Sequence, residues 1–188
     1  MDSRSPLLWG GAVLLAIGAV MGLAGTAGAS PSQPPTEPDN DQPPAPSPIL
    51  PPATTPSPTI DTLARTLWGE ARGEGYSGMQ AVANVVMNRV HAGNFPGGMS
   101  IQNICKAPNQ FSCWNANDPN RPLLLAVTAS DPQFAQALEI AAMAANGTLA
   151  DITNGATYYH EASIPTPRSW GAVTQVADIG NHIFYTKT

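Results

Sequence analysis

Twelve of the chain's twenty prolines lie between positions 31 and 59, and no other feature limits the possible folds so strongly. Proline fixes φ, removes an amide donor and pushes the preceding residue towards extended backbone. With Ser, Thr, Gln and Asn between the prolines, the stretch has no apolar periodicity. It reads as a disordered, semi-rigid polyproline II tether over 30–59, or as an inert spacer of the same composition. At about 3.1 Å per residue such a tether would reach on the order of 80–90 Å. The 188 residues therefore divide into 1–29 before the tether and 60–188 after it. Only the second part is long enough for a domain with its own core.

Residues 6–29 carry no charge, and half of those 24 are Gly or Ala. The segment is long enough to cross a bilayer but weakly apolar. Two readings stand. One is a signal peptide cleaved after Ala27-Gly28-Ala29, an A-x-A site ahead of Ser30; the other is a retained signal-anchor transmembrane helix. Either implies export to the periplasm or cell envelope, with the membrane met through this segment. Of the net charge of −5, the acids Glu37, Asp39 and Asp41 of the tether supply −3. Residues 60–188 hold nine acidic and seven basic groups, so no basic surface is available and nucleic acid is excluded as a partner.

The domain reads as α+β, mainly helical with a small antiparallel sheet. Thr59 is placed to cap a first helix running to about Arg72, and Ser77 with Gln80 forms a capping box for a second, ending before Gly93. Ala81, Val82, Val85, Val86 and Val90 bury that second helix. A long polar loop then runs from Asn94 to about Asn120; loops of this length are usually functional or disordered. Asp131-Pro132 opens a third helix that stops at Asn146-Gly147. Alternation predicts short strands at Ala156–His160, Val173–Val176 and His182–Tyr185, with a hairpin turn at Gly180-Asn181. Cys105 and Cys113 sit eight residues apart in an exported chain, a pattern that predicts a disulfide pinning the loop. A reactive thiol is the alternative.

Chemistry is most legible in Leu67-Trp68-Gly69-Glu70-Ala71-Arg72-Gly73-Glu74. At 100° per residue, Ile60, Leu67, Ala71 and Ala64 share an apolar arc and Glu70 falls at its edge beside Leu63. A carboxylate there is partly desolvated, which favours its protonated form, as a general acid for glycosidic cleavage requires. The alternative is a solvated glutamate, or an ion pair with Arg65 or Arg72. Aromatic and amide side chains gather at Gln110-Phe111-Ser112-Cys113-Trp114-Asn115 and at Tyr158-Tyr159-His160. Sugar rings have apolar faces and hydroxyl rims, which such groups match. Tyr158 and Tyr159 point to opposite faces of a strand, so one of them belongs to the core, and Phe111 is a second core candidate. Trp114, on a polar loop, reads as an exposed sugar platform whose removal leaves folding intact. His91, His160 and His182 have no metal-ligand spacing, and no cofactor motif or G-x-S-x-G elbow occurs, so neither metal nor cofactor is expected.

Three motifs in order carry a family resemblance: Leu63-Ala64-Arg65 through Glu70-Ala71-Arg72-Gly73-Glu74; Gly78, Gln80-Ala81-Val82-Ala83 to Val86 and Asn88-Arg89-Val90; and Gln110–Trp114 with Asn117-Asp118-Pro119-Asn120 and Ala156–Tyr159. Over about residues 60–185 the chain resembles the SleB-type cell-wall hydrolases, the catalytic domain of spore-cortex-lytic enzymes. The tyrosine pair is followed here by His160-Glu161, where many members have Asn-Pro. The resemblance implies a lysozyme-like fold that cleaves peptidoglycan glycan strands, often as a lytic transglycosylase, with the catalytic acid on Glu70. Glu74, Gln110, Phe111, Ser112, Trp114, Tyr158, Tyr159 and His160 are the expected substrate-binding residues. A glycosidase with two carboxylates would find its second in Glu74, Asp118 or Glu161; a transglycosylase needs only one. An amidase, a non-catalytic tethered glycan-binding module and a phage endolysin are the other readings.

Overall fold

The computed structural model describes residues 55–188. The expected signal or membrane segment, and the expected tether up to residue 54, lie outside them. The described chain opens with helix α1, Pro58–Ala71. Its cap is Ser57 rather than Thr59: the Ser57 hydroxyl accepts from the Ile60 amide at 3.3 Å, and Pro58 takes the first turn. Proline is favoured there because that amide has no helical partner to lose. One 3₁₀ turn, Arg72–Glu74, then swings the chain into α2, Gly75–Ala92. Ser77 therefore lies inside α2, whose first turn has no side-chain cap. The predicted stop is present: Gly93 has φ +69° and returns its amide to the Arg89 carbonyl.

The predicted loop 94–120 contains more order than its composition suggests. It holds α3, Ile101–Lys106, capped by Ser100, and a 3₁₀ turn at Ser112–Trp114. Helix α4, Arg121–Ala126, follows at once. These pieces are too short to show a periodicity in sequence. They are helical because Ile104, Cys105, Phe111, Cys113 and Leu124 all bury against the same core. Helix α5, Pro132–Ala145, begins as expected, with Asp131 accepting from the Phe134 amide at 2.9 Å. Leu63 and Leu67 of α1, Met79, Val82 and Val86 of α2, and Phe134 and Ile140 of α5 complete that core.

The sheet is antiparallel in the order β1-β3-β2, with β1 Tyr158–Glu161, β2 Val173–Ile179 and β3 His182–Lys187. Tyr159 pairs with Phe184 and Glu161 with His182. One face carries Tyr159 and Phe184 onto Ala81 and Val85 of α2. The other gathers Tyr158, Trp170 and Tyr185 into a second aromatic core. The β2–β3 turn has Gly180 at φ +60°, as a hairpin with glycine in its first central position requires. Among the described residues no helix is long and apolar enough to cross a membrane.

Candidate active site around Glu70

Gly69 sets the site's spacing. A Cβ at this position would lie 2.6 Å from Cys113 Cβ and 3.1 Å from Leu124 Cδ1, so only glycine lets the 112–114 turn and α4 press onto α1. Glycine in a helix interior is unfavourable by roughly 0.5–1 kcal/mol, and the close approach is what it permits. The Cys113 amide thereby donates to Glu70 Oε1 at 3.0 Å. The Ser112 hydroxyl donates to the same oxygen at 3.4 Å, and Tyr159 Oη donates to Oε2 at 3.1 Å. The Cys113 thiol also lies beside this carboxyl.

Glu70 is only 6% exposed. Burial pushes its pKa up; the hydrogen bonds from Cys113, Tyr159 and Ser112 favour the ionised form and oppose that, but burial prevails. The carboxyl is therefore biased towards carrying a proton, held by donors from two segments distant in sequence. Tyr159 itself is raised well above the usual phenol range, first by burial and then by the neighbouring Glu70 charge.

The other expected site residues divide. Ser112 and Tyr159 touch Glu70 directly, and Gln110 lies one step behind, its Oε1 3.4 Å from Arg89 Nη1. Phe111, Tyr158 and His160 are buried, and none is among the hydrogen-bond partners of Glu70. Phe111 is buried in the main core, and Tyr158 and His160 lie on the far face of β1. There His160 Nε2 meets Tyr185 Oη at 3.1 Å, and its ring stacks on Tyr185. Strand alternation explains the split within the tyrosine pair. Trp114 is half-buried rather than free: its indole Nε1 donates to Thr66 Oγ1 at 2.9 Å, and Lys106 Nζ stands 5.0 Å from the ring centroid. The polar loop hides an apolar contact with α1, which is why its sequence suggested exposure.

Glu74 is not one turn below Glu70 on a continuous helix, because α1 stops at Ala71. Its carboxylate accepts from Asn181 N at 2.8 Å and Asn181 Nδ2 at 2.9 Å, tying the β2–β3 turn to the α1–α2 junction. Cys105 and Cys113 are free and buried, so the predicted bridge is not formed. The Cys105 thiol lies beside Thr66 and the Cys113 thiol beside Glu70, on successive turns of α1.

Two residues were missed in sequence. Arg89 is 3% exposed in the middle of α2. It completes the i, i+3, i+4, i+7 stripe begun by Val82, Val85 and Val86, a visible sign of a buried charge. His182 sits edge-on to Tyr159 with ring centroids 5.2 Å apart. Its Nδ1 is buried without a partner, and burial holds its pKa below the usual imidazole value. No local signal marks it, since the register of β3 on β1 places it there.

The sequence profile of a family described as cell wall hydrolase matches residues 73–185. Among characterised proteins, the chain is similar to the spore cortex-lytic enzyme of Bacillus subtilis (strain 168), 32% identical over 132 residues that cover 66% of this chain and 36% of that one. It is also similar to the spore cortex-lytic enzyme of Halalkalibacterium halodurans, 29% identical over 131 residues that cover 66% and 34%. The chain spans between 34% and 43% of the length of the curated relatives it matches. Two solved structures share the fold. The catalytic domain of the Bacillus cereus SleB protein superposes with a TM-score of 0.54 at 29% identity, covering 68% of this chain and 89% of that one. The catalytic domain of the germination-specific lytic transglycosylase SleB from Bacillus anthracis gives 0.55 at 28%, covering 72% and 99%.

Proposed function

Because the chain belongs to the cell wall hydrolase family, we propose that residues 60–188 form a lysozyme-like, peptidoglycan-degrading glycosidase with Glu70 as its general acid. The reading is carried by one observation: a carboxyl almost wholly removed from water, raised in pKa by that burial, yet held in place by Ser112, Cys113 and Tyr159. Oε1 takes donors from Ser112 and Cys113, whereas Oε2 is met by Tyr159. Oε2 is therefore the oxygen from which a proton passes to the leaving glycosidic oxygen between MurNAc and GlcNAc.

The finer outcome is lytic transglycosylation. Glu74, the nearest acid in sequence, is committed to Asn181, which supports a single-carboxyl scheme. In that scheme the substrate's 2-acetamido group assists departure of the leaving group. The ionised Glu70 then takes the proton of the sugar's own 6-hydroxyl as that oxygen closes on the anomeric carbon. The chain would act in the bacterial envelope, exported by its N-terminal segment; a phage-encoded lysin is the same chemistry in another setting.

Mass spectrometry of digested sacculi tests both levels. Anhydro-muramic ends are expected from the wild-type chain, and Glu70→Gln should lose roughly 10²–10⁴-fold in release while remaining folded. Reducing ends would replace the transglycosylase by a muramidase. Free peptide stems, or sacculus binding with no release at all, would overturn the glycosidase reading.

A further inference from the structure

We propose that Arg89 is a positioning residue for the Glu70 acid, one buried guanidinium that clamps together the two chain segments supplying the acid's hydrogen-bond donors. The inference rests on the glycosidase reading of Glu70 and adds to it a residue that does not touch the carboxyl.

Arg89 Nε donates to the Thr157 carbonyl at 2.8 Å, two residues before Tyr159, the donor to Glu70 Oε2. Arg89 Nη1 donates to Gln110 Oε1 at 3.4 Å, two residues before Ser112 and three before Cys113, the donors to Oε1. The guanidinium carbon lies 5.2 Å from the Phe95 ring centroid and 5.3 Å from that of Phe111. The charge thus sits between two aromatic faces, an arrangement that substitutes for part of its lost hydration. Residues 110–114 and 157–161 reach Glu70 from different parts of the fold and share no element. Arg89 is 3% exposed and bonds to both.

A buried guanidinium needs a reason, because removing it from water is costly unless its charge is used. Among the described residues the one ion pair is Arg65 with Asp61, so Arg89 has no carboxylate at salt-bridge distance. Burial weakens its hold on the proton, and the groups that oppose this are Tyr159, Tyr158, Cys105 and Glu70. Glu70 is the carboxyl of that set. Lysine would keep the charge but not the planar fork that reaches two acceptors.

Two variants of the full chain separate fork from charge. Arg89→Met fills the space and removes both, while Arg89→Lys removes the fork alone. The first readout is the titration of the Glu70 carboxyl carbon by NMR in glutamate-labelled protein, which requires no turnover. In both variants the titration should move to higher pH, because the donors that favour the ionised carboxyl are no longer held against it. The second readout is fragment release from purified sacculi across pH, with kcat and KM separated. Both variants should lose about tenfold or more in kcat with little change in KM, the effect of displacing a catalytic group by a fraction of an ångström to an ångström. The alkaline limb of both profiles should shift upward with the Glu70 titration.

An unchanged Glu70 titration in Arg89→Met, or a kcat within about twofold of wild type in both variants, overturns the clamp. If Arg89→Met does not fold, Arg89→Lys decides the clamp by the same kcat criterion. Wild-type chain that releases nothing from sacculi would defeat the glycosidase reading instead. The NMR titration would then decide alone whether Arg89 governs Glu70.

Discussion

At the scale of single residues, Glu70 illustrates how a functional group can weaken the fold that holds it. A carboxyl whose folded pKa is raised is protonated in the native state when the unfolded chain has already released its proton. Stability then falls as pH rises from the ordinary carboxylate range through the raised value. Glu70→Gln removes that dependence. The variant should melt higher than wild type at neutral pH, and the difference should vanish in acid, where both side chains are neutral. Melting curves across pH check this; a variant less stable than wild type at neutral pH would mean that the hydrogen bonds from Cys113, Ser112 and Tyr159 outweigh burial. Trp114 gives the opposite lesson. Its bond to Thr66 and its contact with the main core replace the exposed platform expected from the sequence. Trp114→Ala should cost roughly 2–4 kcal/mol, somewhat below a fully buried indole, and Trp114→Phe about 1 kcal/mol for the lost hydrogen bond. Denaturant unfolding measures both, and a negligible loss in Trp114→Ala would restore the platform reading.

At the scale of elements, the polar face of α2 gives Gln80 a partner other than the expected capping box and gives Asn84 and Asn88 a role their sequence did not suggest. Gln80, Asn84 and Asn88 recur every four residues and so line one stripe. Gln80 Nε2 and Asn84 Nδ2 both donate to the Ala150 carbonyl, at 2.9 and 3.2 Å. Asn84 Oδ1 accepts from Ile152 N at 3.1 Å, and Asn88 Nδ2 donates to the Ala156 carbonyl at 3.0 Å. The stripe thus does for the segment leading into β1 what a neighbouring strand would do, and β1 carries Tyr159 to Glu70. Asn84 is 3% exposed. Asn84→Leu, similar in size, should leave Ile152 N without its acceptor and cost about 1–3 kcal/mol. Amide exchange at Ile152 should quicken with it, while exchange in α5 follows only the global loss. Glu74 plays a comparable part from the α1–α2 junction, holding Asn181 and with it the turn that leads into β3.

At the scale of the whole described domain, stability comes from one helical core and two smaller clusters on the sheet, without a covalent staple. The Cys105 thiol is pushed up to about 12 by burial, and Cys113 is raised by burial and the Glu70 charge. Both thiols should therefore react slowly with alkylating reagents in native protein at neutral pH and readily after denaturation. The melting temperature should be the same with and without reductant. A lower value in reductant would show that a bridge forms in the oxidised protein after all.

Local chemistry sufficed to read much of the framework. The helix starts at Asp131-Pro132 and the stop at Gly93, the burial of Val82, Val85 and Val86, the strand alternation that separates Tyr158 from Tyr159, and the Gly180-Asn181 turn all depend on residues within a turn or a few pleats of one another. The edge position of Glu70 on its helix was legible for the same reason. What tertiary structure alone decided is which distant groups meet. The amide of residue 113 reaches Glu70 across 43 positions and the hydroxyl of Tyr159 across 89. Cys113 turns to that carboxyl rather than to Cys105, Trp114 lies down on Thr66, and Arg89 binds two segments at once. Such contacts follow from how α1, α2 and β1 pack around Gly69 and Phe111. Packing is a property of complementary surfaces, which no periodicity along the chain encodes.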